Sequence, residues 1–415
     1  VNVLNATTAK PVHLKPKKAT AAGNPDLAPT GDGFAAGKPN KLENIKPIQV
    51  ASSNETGPSA KVLADLNDQV AQEVLQGTVL GAAGVAVAST FKTGFVKGFL
   101  DPKAVLESCQ KLAADFPELV EIIPYKDKTH GYDGKNKEVQ GPAPLYVMRL
   151  GPKTADRDKK LGVFQFAAPH AREWINPMTM VELAHQLVQN YDPSSTDPLV
   201  QKNTQLLQNL DIFIAPQTNP DGTNYSFYDD KMWRKNRAEV AGGEHGVDIN
   251  RNYPFGWEPD SNVKEITYPG PAPASEIETQ HIMSVVDQHP NIRFVCDWHS
   301  YSEEIRRPEG VSEQDLAVYQ NLQKRMADAI AHQRGRNYGQ VVSKLVNGTS
   351  DDYFYNSKAT YGLLVETGRS FQPDAKEALA VKDECVEGAK ELLATAYDYS
   401  LKNGLEPAHP PKSSS

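Results

Sequence analysis

From about residue 96 onward, apolar residues gather into short runs: VEIIPY, LYVMRL, GVFQFAA, DIFIAP, IRFVCDW and YGLLVE. Most are rich in β-branched or aromatic side chains and are bounded by polar residues, which predicts strands. Between them the pattern changes to helical segments at about 177–190, 196–209, 275–288, 312–333 and 374–400. DPKAVLESCQKLAADF predicts a further helix, opened by Asp101 with Pro102 at its first position, where a missing N–H costs nothing. Alternation of this kind predicts an α/β domain with a largely buried, partly parallel sheet.

The ends of the chain read differently. Residues 1–60 are rich in Ala, Pro, Lys, Gly and Asn with little periodicity, and such a stretch buries too little apolar surface to offset its ordering entropy. They are expected to be a disordered extension. In residues 61–76, Val62, Leu63, Leu66, Val70 and Val74 share one face, predicting a short amphipathic helix that docks on the main domain or is a prosegment remnant. The expected organisation is extension 1–60, helix and linker 61–95, catalytic domain 96–402 and disordered tail 403–415.

Composition narrows the function. Hydrophobic content of 39% with 23% charged residues fits a soluble globular protein. A net charge of −8 argues against nucleic acid as a partner, because phosphate recognition needs a clustered basic face. The apolar stretch 79–88 is too short to span a bilayer and lies too far into the chain to be a signal peptide. The chain begins with Val1 rather than Met, which suggests processing or an arbitrarily chosen start, and a secreted or otherwise extracytoplasmic monomer is expected. Cys109, Cys296 and Cys385 form no ligand cluster. Cys296, inside an apolar run, is expected to be a buried, inert thiol, and pairing of Cys109 with Cys385 is left open.

One constellation carries chemistry. A catalytic zinc takes three N or O ligands and keeps one position open. His170 and Glu173 lie one turn apart between the strand GVFQFAA and Pro177, a helix start. They therefore sit at the carboxyl end of a strand, where open α/β sheets build their sites. His299 follows the strand IRFVCDW and belongs on the same rim. A His-x-x-Glu pair by itself occurs often by chance, and its surroundings decide the matter.

PHAREW, TNPDG, MWRKNR, GVDINRNY, YPGPAPASEIET, DWHSYSE and GLLVETG occur in one order. Together they resemble the zinc carboxypeptidase family typified by pancreatic carboxypeptidases A and B, over roughly residues 96–400. The resemblance implies a mixed, largely parallel eight-stranded sheet flanked by helices on both faces. It implies one Zn2+ per chain, held by His170, Glu173 and His299, with Glu366 as general base. Arg234 would stabilise the oxyanion, and Asp248 would orient His170 from behind. Asn250 and Arg251 would clamp the free C-terminal carboxylate of a peptide substrate, a task suited to a bidentate guanidinium. Arg172 would contact substrate further from its terminus.

TNPDG otherwise reads as a turn, and Ser275 with Glu278 as a capping box. Trp174 and Trp233 read as packing residues. Aligning GTSDDY at 348–353 puts Lys344 where the family carries a mobile lid tyrosine, the nearest preceding tyrosine being Tyr338. The same alignment puts Asp351 at the floor of the side-chain pocket, where a basic residue complements it, with Glu309 reinforcing the field. Arg306 and Arg307 stand close enough in sequence to neutralise either, which leaves a broad or hydrophobic preference as the alternative. An amidase acting on cell-wall peptides and a catalytically inactive binding module are the other readings. A Ser-His-Asp hydrolase is disfavoured further, since no Gly-x-Ser-x-Gly elbow appears.

Overall fold

A computed structural model describes residues 89–344 and 347–409, so the extension 1–60 and the helix predicted at 61–76 lie outside the described residues. The six apolar runs form strands β1 (Val120–Lys128), β2 (Pro144–Leu150), β3 (Leu161–Ala167), β4 (Leu210–Ala215), β5 (Ile292–His299) and β8 (Tyr361–Glu366). Two further strands, β6 (Glu304–Arg307) and β7 (Gly339–Val342), carry no apolar run in the sequence. Each is four residues long; β6 is mostly charged and lies between β8 and β7, and β7, mostly exposed, forms the edge of the sheet. Among the described residues the sheet has eight strands, ordered β1-β2-β4-β3-β5-β8-β6-β7. The centre, β4-β3-β5-β8, is parallel, and antiparallel pairs flank it.

Alternation along the strands supplies both faces. In β3, Val163 and Ala167 enter one core together with Ile212 of β4, while Phe164 and Phe166 enter the other. The first core is closed by α1 (Pro102–Asp115), α2 (Ile175–Gln189), α6 (Glu313–Arg334) and α8 (Ala375–Asn403). The second is closed by α5 (Ile277–Gln288) and α7 (Ser350–Lys358). Burial on both sides explains why these strands read as continuous apolar runs. Helix starts follow local chemistry: Asp101, Asp197, Ser312 and Asp374 accept N–H bonds at the first turns of α1, α3 (Pro198–Asn209), α6 and α8.

Three local expectations are corrected. TNPDG is not a free-standing turn: Asn219 caps α4 (Pro220–Tyr228), accepting from Gly222 N, with Pro220 in the first turn. Ser275 and Glu278 form no capping box, because α5 has Glu276 at its N-cap with no side-chain cap bond. Ser275 Oγ instead donates to Glu276 and accepts from Asn252, while Glu278 turns into the interior. The packed body also runs past the expected boundaries. Gly94 and Val96 donate backbone N–H groups to Glu182, and beyond residue 403 Ala408 is buried and donates to Ala359 O. All three cysteines are free and buried. Burial pushes the Cys296 thiol well above its usual pKa, as expected of an inert thiol.

Candidate metal centre

The central strands end together, which brings the site together. His299 is the last residue of β5 and pairs in register with Glu366, the last of β8. β3 ends one strand away, and the loop leaving it carries His170 and Glu173. That loop is held by the TNPDG segment. Thr218 N and Asn219 N donate to Ala167 O and Ala168 O, and the Asn219 amide donates to Pro169 O and Lys235 O. Ala171 N donates to Arg234 O, so the segment bearing Arg234 lies directly against the loop.

His170, Glu173 and His299 are all buried, and one donor atom from each lies within 4.8 Å of the others. His170 Nδ1 is 2.8 Å from Glu173 Oε1, and His299 Nδ1 is 3.2 Å from Glu173 Oε2 and 3.1 Å from His170 Nδ1. The opposite nitrogen of each ring faces a carboxylate: His170 Nε2 is 3.1 Å from Asp248 Oδ1, and His299 Nε2 is 2.9 Å from Asp297 Oδ2. Anchoring Nε2 leaves Nδ1 of both rings for the shared centre, the arrangement that orients histidine ligands in metal sites. Two imidazoles and a carboxylate are a donor set suited to zinc, so the residues present fit the ion.

The electrostatics agree with a place prepared for a cation. Burial by itself would raise the Glu173 pKa, but His170 and His299 outweigh it and hold the carboxyl far below its usual range. Burial likewise opposes charge on His299, and Asp297 with Glu173 overcome it and raise that imidazole. Against the cost of burial, Arg234 and His170 hold Asp248 well below the carboxylate range. Glu366 differs. Burial, the largest effect, raises its pKa, and nearby Glu173 adds to this against His299 and Arg306.

The remaining predicted residues surround this cluster. Arg234 Nε donates to Asp248 Oδ2 at 2.9 Å. Asn250 Nδ2 is 3.4 Å from His299 Nε2, and its Oδ1 accepts from Ser350 N. Arg251 Nη1 donates to Asn250 O. The Arg172 guanidinium lies 4.1 Å over the Phe371 ring. Asp351, in the first turn of α7, is buried and accepts from Ser343 Oγ at 2.8 Å. Beside it, burial and then Asp351 push Asp352 up to about 7, with Glu309 contributing. Arg306, a candidate partner for these acids by sequence, pairs with Glu304 at 2.7 Å and approaches Glu366 at 3.9 Å, and Arg307 donates to Pro308 O. Lys344 is exposed, whereas Tyr338 is buried against Glu384 and donates to it, which removes it as a lid. Trp174 stacks on Phe227 and Trp233 meets Tyr225 edge-on, both as packing.

Asp297 is the residue of this centre that the sequence reading does not single out. Its signal is the two-residue spacing to His299 within one strand, which puts both on one face of the sheet.

A buried two-histidine, one-carboxylate cluster at the carboxyl ends of a mixed sheet makes this an α/β protein with a site suited to a divalent metal ion. Comparison with known proteins makes this specific. The zinc carboxypeptidase family profile matches residues 105–387. Carboxypeptidase A4 of Mus musculus is 28% identical over 312 residues, covering 72% of this chain and 70% of that protein. Carboxypeptidase B of Astacus astacus is 30% identical over 301 residues, covering 67% of this chain and 90% of that protein. The structure of carboxypeptidase A from Helicoverpa armigera superposes with a TM-score of 0.62 at 23% identity, over 82% of each chain, which supports the fold. The chain belongs to the zinc carboxypeptidase family, hydrolases that remove residues from the carboxyl end of peptides. No helix among the described residues is long and apolar enough to cross a membrane.

Proposed function

We propose that this chain hydrolyses the last peptide bond of peptides with a free C-terminus, with zinc held by His170 Nδ1, His299 Nδ1 and the Glu173 carboxylate. The observation that carries this reading is the convergence of those three buried donors beside Glu366, each ring braced by a carboxylate on its other nitrogen. Bound there, zinc supplies Lewis acidity, polarising the scissile carbonyl and lowering the pKa of water toward ~7.

The rest of the chemistry falls to side chains. Glu366, its pKa raised by burial, takes a proton from the attacking water and delivers it to the leaving amine. Arg234, fixed by Asp248, offers positive charge to the developing oxyanion, a contribution typically of ~3–4 kcal/mol. Asn250 and Arg251 hold the terminal carboxylate, and Arg172 binds substrate further from its end. Asp351, buried and bonded to Ser343, would give the pocket negative charge that a lysine or arginine side chain neutralises, and this favours basic C-terminal residues. A secreted location and a monomeric state belong to the same proposal, to be checked by fractionation and sedimentation.

Replacing Glu366 tests the core of the reading. Glu366→Gln should keep about one zinc at this site and lose turnover by ~10²–10⁴-fold. An active, zinc-loaded Glu366→Gln protein would remove Glu366 from its role. Matched peptides with free and amidated C-termini test the clamp. Equal rates on both would favour the amidase reading, and inactivity of the zinc-loaded chain on all peptides would favour a binding module.

A further inference from the structure

A second set of metal-ligating side chains comes together apart from His170, Glu173 and His299. His130, Glu276 and Glu278 each place a donor atom within 4.8 Å of the others. His130 Nε2 is 3.8 Å from Glu276 Oε2. Both glutamates are buried, at 3% and 0% exposure, while the His130 side chain is 45% exposed, giving the cluster one wall open to solvent.

The loop that presents His130 is itself fixed. Asp221 of α4 accepts from Thr129 Oγ1 at 2.9 Å and from Gly131 N at 2.6 Å, so it grips the residues on either side of the histidine. The two glutamates are joined by a neutral group: the Asn236 amide donates to Glu276 Oε2 at 2.6 Å and to Glu278 Oε2 at 3.2 Å. The other oxygen of Glu278 is buried with no hydrogen-bond partner. An acceptor left in that state carries a desolvation penalty of ~1–3 kcal/mol. A cation at this point would satisfy the orphaned oxygen and the like-charged pair together.

We propose that His130, Glu276 and Glu278 form a binding site for a second divalent ion of the zinc class. The donor set selects the ion. An imidazole with two carboxylates suits zinc and its first-row neighbours, whereas calcium and magnesium take all-oxygen sites. The exposed side leaves room for water to complete the coordination. Because Asn236 follows Arg234 by two residues, an ion here would also stiffen the segment that carries Arg234.

Zinc content of the full chain tests this directly. After chelator dialysis and equilibration with micromolar ZnCl2, the wild type should hold two zinc ions per chain by atomic emission. His130→Ala should hold one, and Glu278→Gln one, with zinc affinity at this site reduced by ~10–100-fold, the loss typical even of a removed supporting residue. His130 is half exposed, so its replacement leaves the core intact, and circular dichroism checks that it does. In a His170→Ala background, zinc should still raise Tm, and adding His130→Ala should abolish that shift. Two zinc ions in His130→Ala, or a wild type with a single zinc lost only with His170→Ala, overturns the proposal. So does a Tm shift that survives in the double variant.

Discussion

Asp297 and Asp248 show how individual residues set the character of the centre. Each accepts the far nitrogen of one histidine, and each is buried. Asp248 has a second task, holding Arg234, and Asp297 accepts from Ser350 Oγ at 2.6 Å. Asp297→Asn preserves shape while removing the charge that supports His299, so zinc affinity should fall about 10–100-fold by competition with a chelator. Glu366 lies on the neighbouring strand and braces neither ring, so its replacement should leave that affinity unchanged. Asp351→Asn should erase the preference for lysine and arginine termini while sparing hydrolysis of leucine termini. A peptide panel reads this, and equal rates on Lys, Leu and Glu termini in the wild type would sink the basic-pocket reading.

At the scale of elements, the segments that depart from their sequence pattern are instructive. TNPDG contains turn-forming residues, yet its asparagine caps a helix and ties down the His170 loop. Its glycine is required by space: a Cβ at Gly222 would collide with Lys235 O and stand 2.6 Å from the Asn219 amide. Gly222→Ala should therefore cost about 1–3 kcal/mol in urea unfolding and lower kcat/KM, because the displaced backbone adjoins Arg234. Gly348, at φ +70°, meets the same kind of limit, since any added Cβ would collide with Arg251 O. The strands and long helices are legible because periodicity reports burial directly. Strands β6 and β7 are not: each is four residues long, β6 has Ile305 as its one apolar residue among charged ones, and β7, at the sheet edge, is mostly exposed. Helices α4 and α7 escape for a related reason: each is nine residues long, and polar or turn-prone residues dominate its first turn.

Over the whole molecule, buried carboxylates make stability depend on pH. Asp352 is pushed up to about 7 in the folded chain, against roughly 3.9 when unfolded. Between those values the folded state binds more protons, so this group's contribution to stability declines as pH rises from about 4 to 7. Asp352→Asn removes the effect. Its stability relative to wild type should grow across that window, by at least ~1 kcal/mol at pH 8 compared with pH 4, measured by urea denaturation. A constant difference would show that Asp352 ionises normally. Glu278 and Asp221, also raised, act in the same direction in the metal-free protein.

Sequence alone determined the α/β alternation and the ordered motifs that marked the family. It also nominated the residues of the candidate metal centre, through residue type, spacing and the resemblance those motifs carry. It left to the tertiary structure whatever depends on groups far apart in the chain. The second anchor Asp297, the pairing of Arg306 with Glu304 and the brace on the His170 loop all belong there. So does the meeting of His130 with Glu276 and Glu278, 146 and 148 residues further on. Local patterns report what a residue is and which face it takes, whereas the partner it meets across the sheet is decided only when the chain has closed its core.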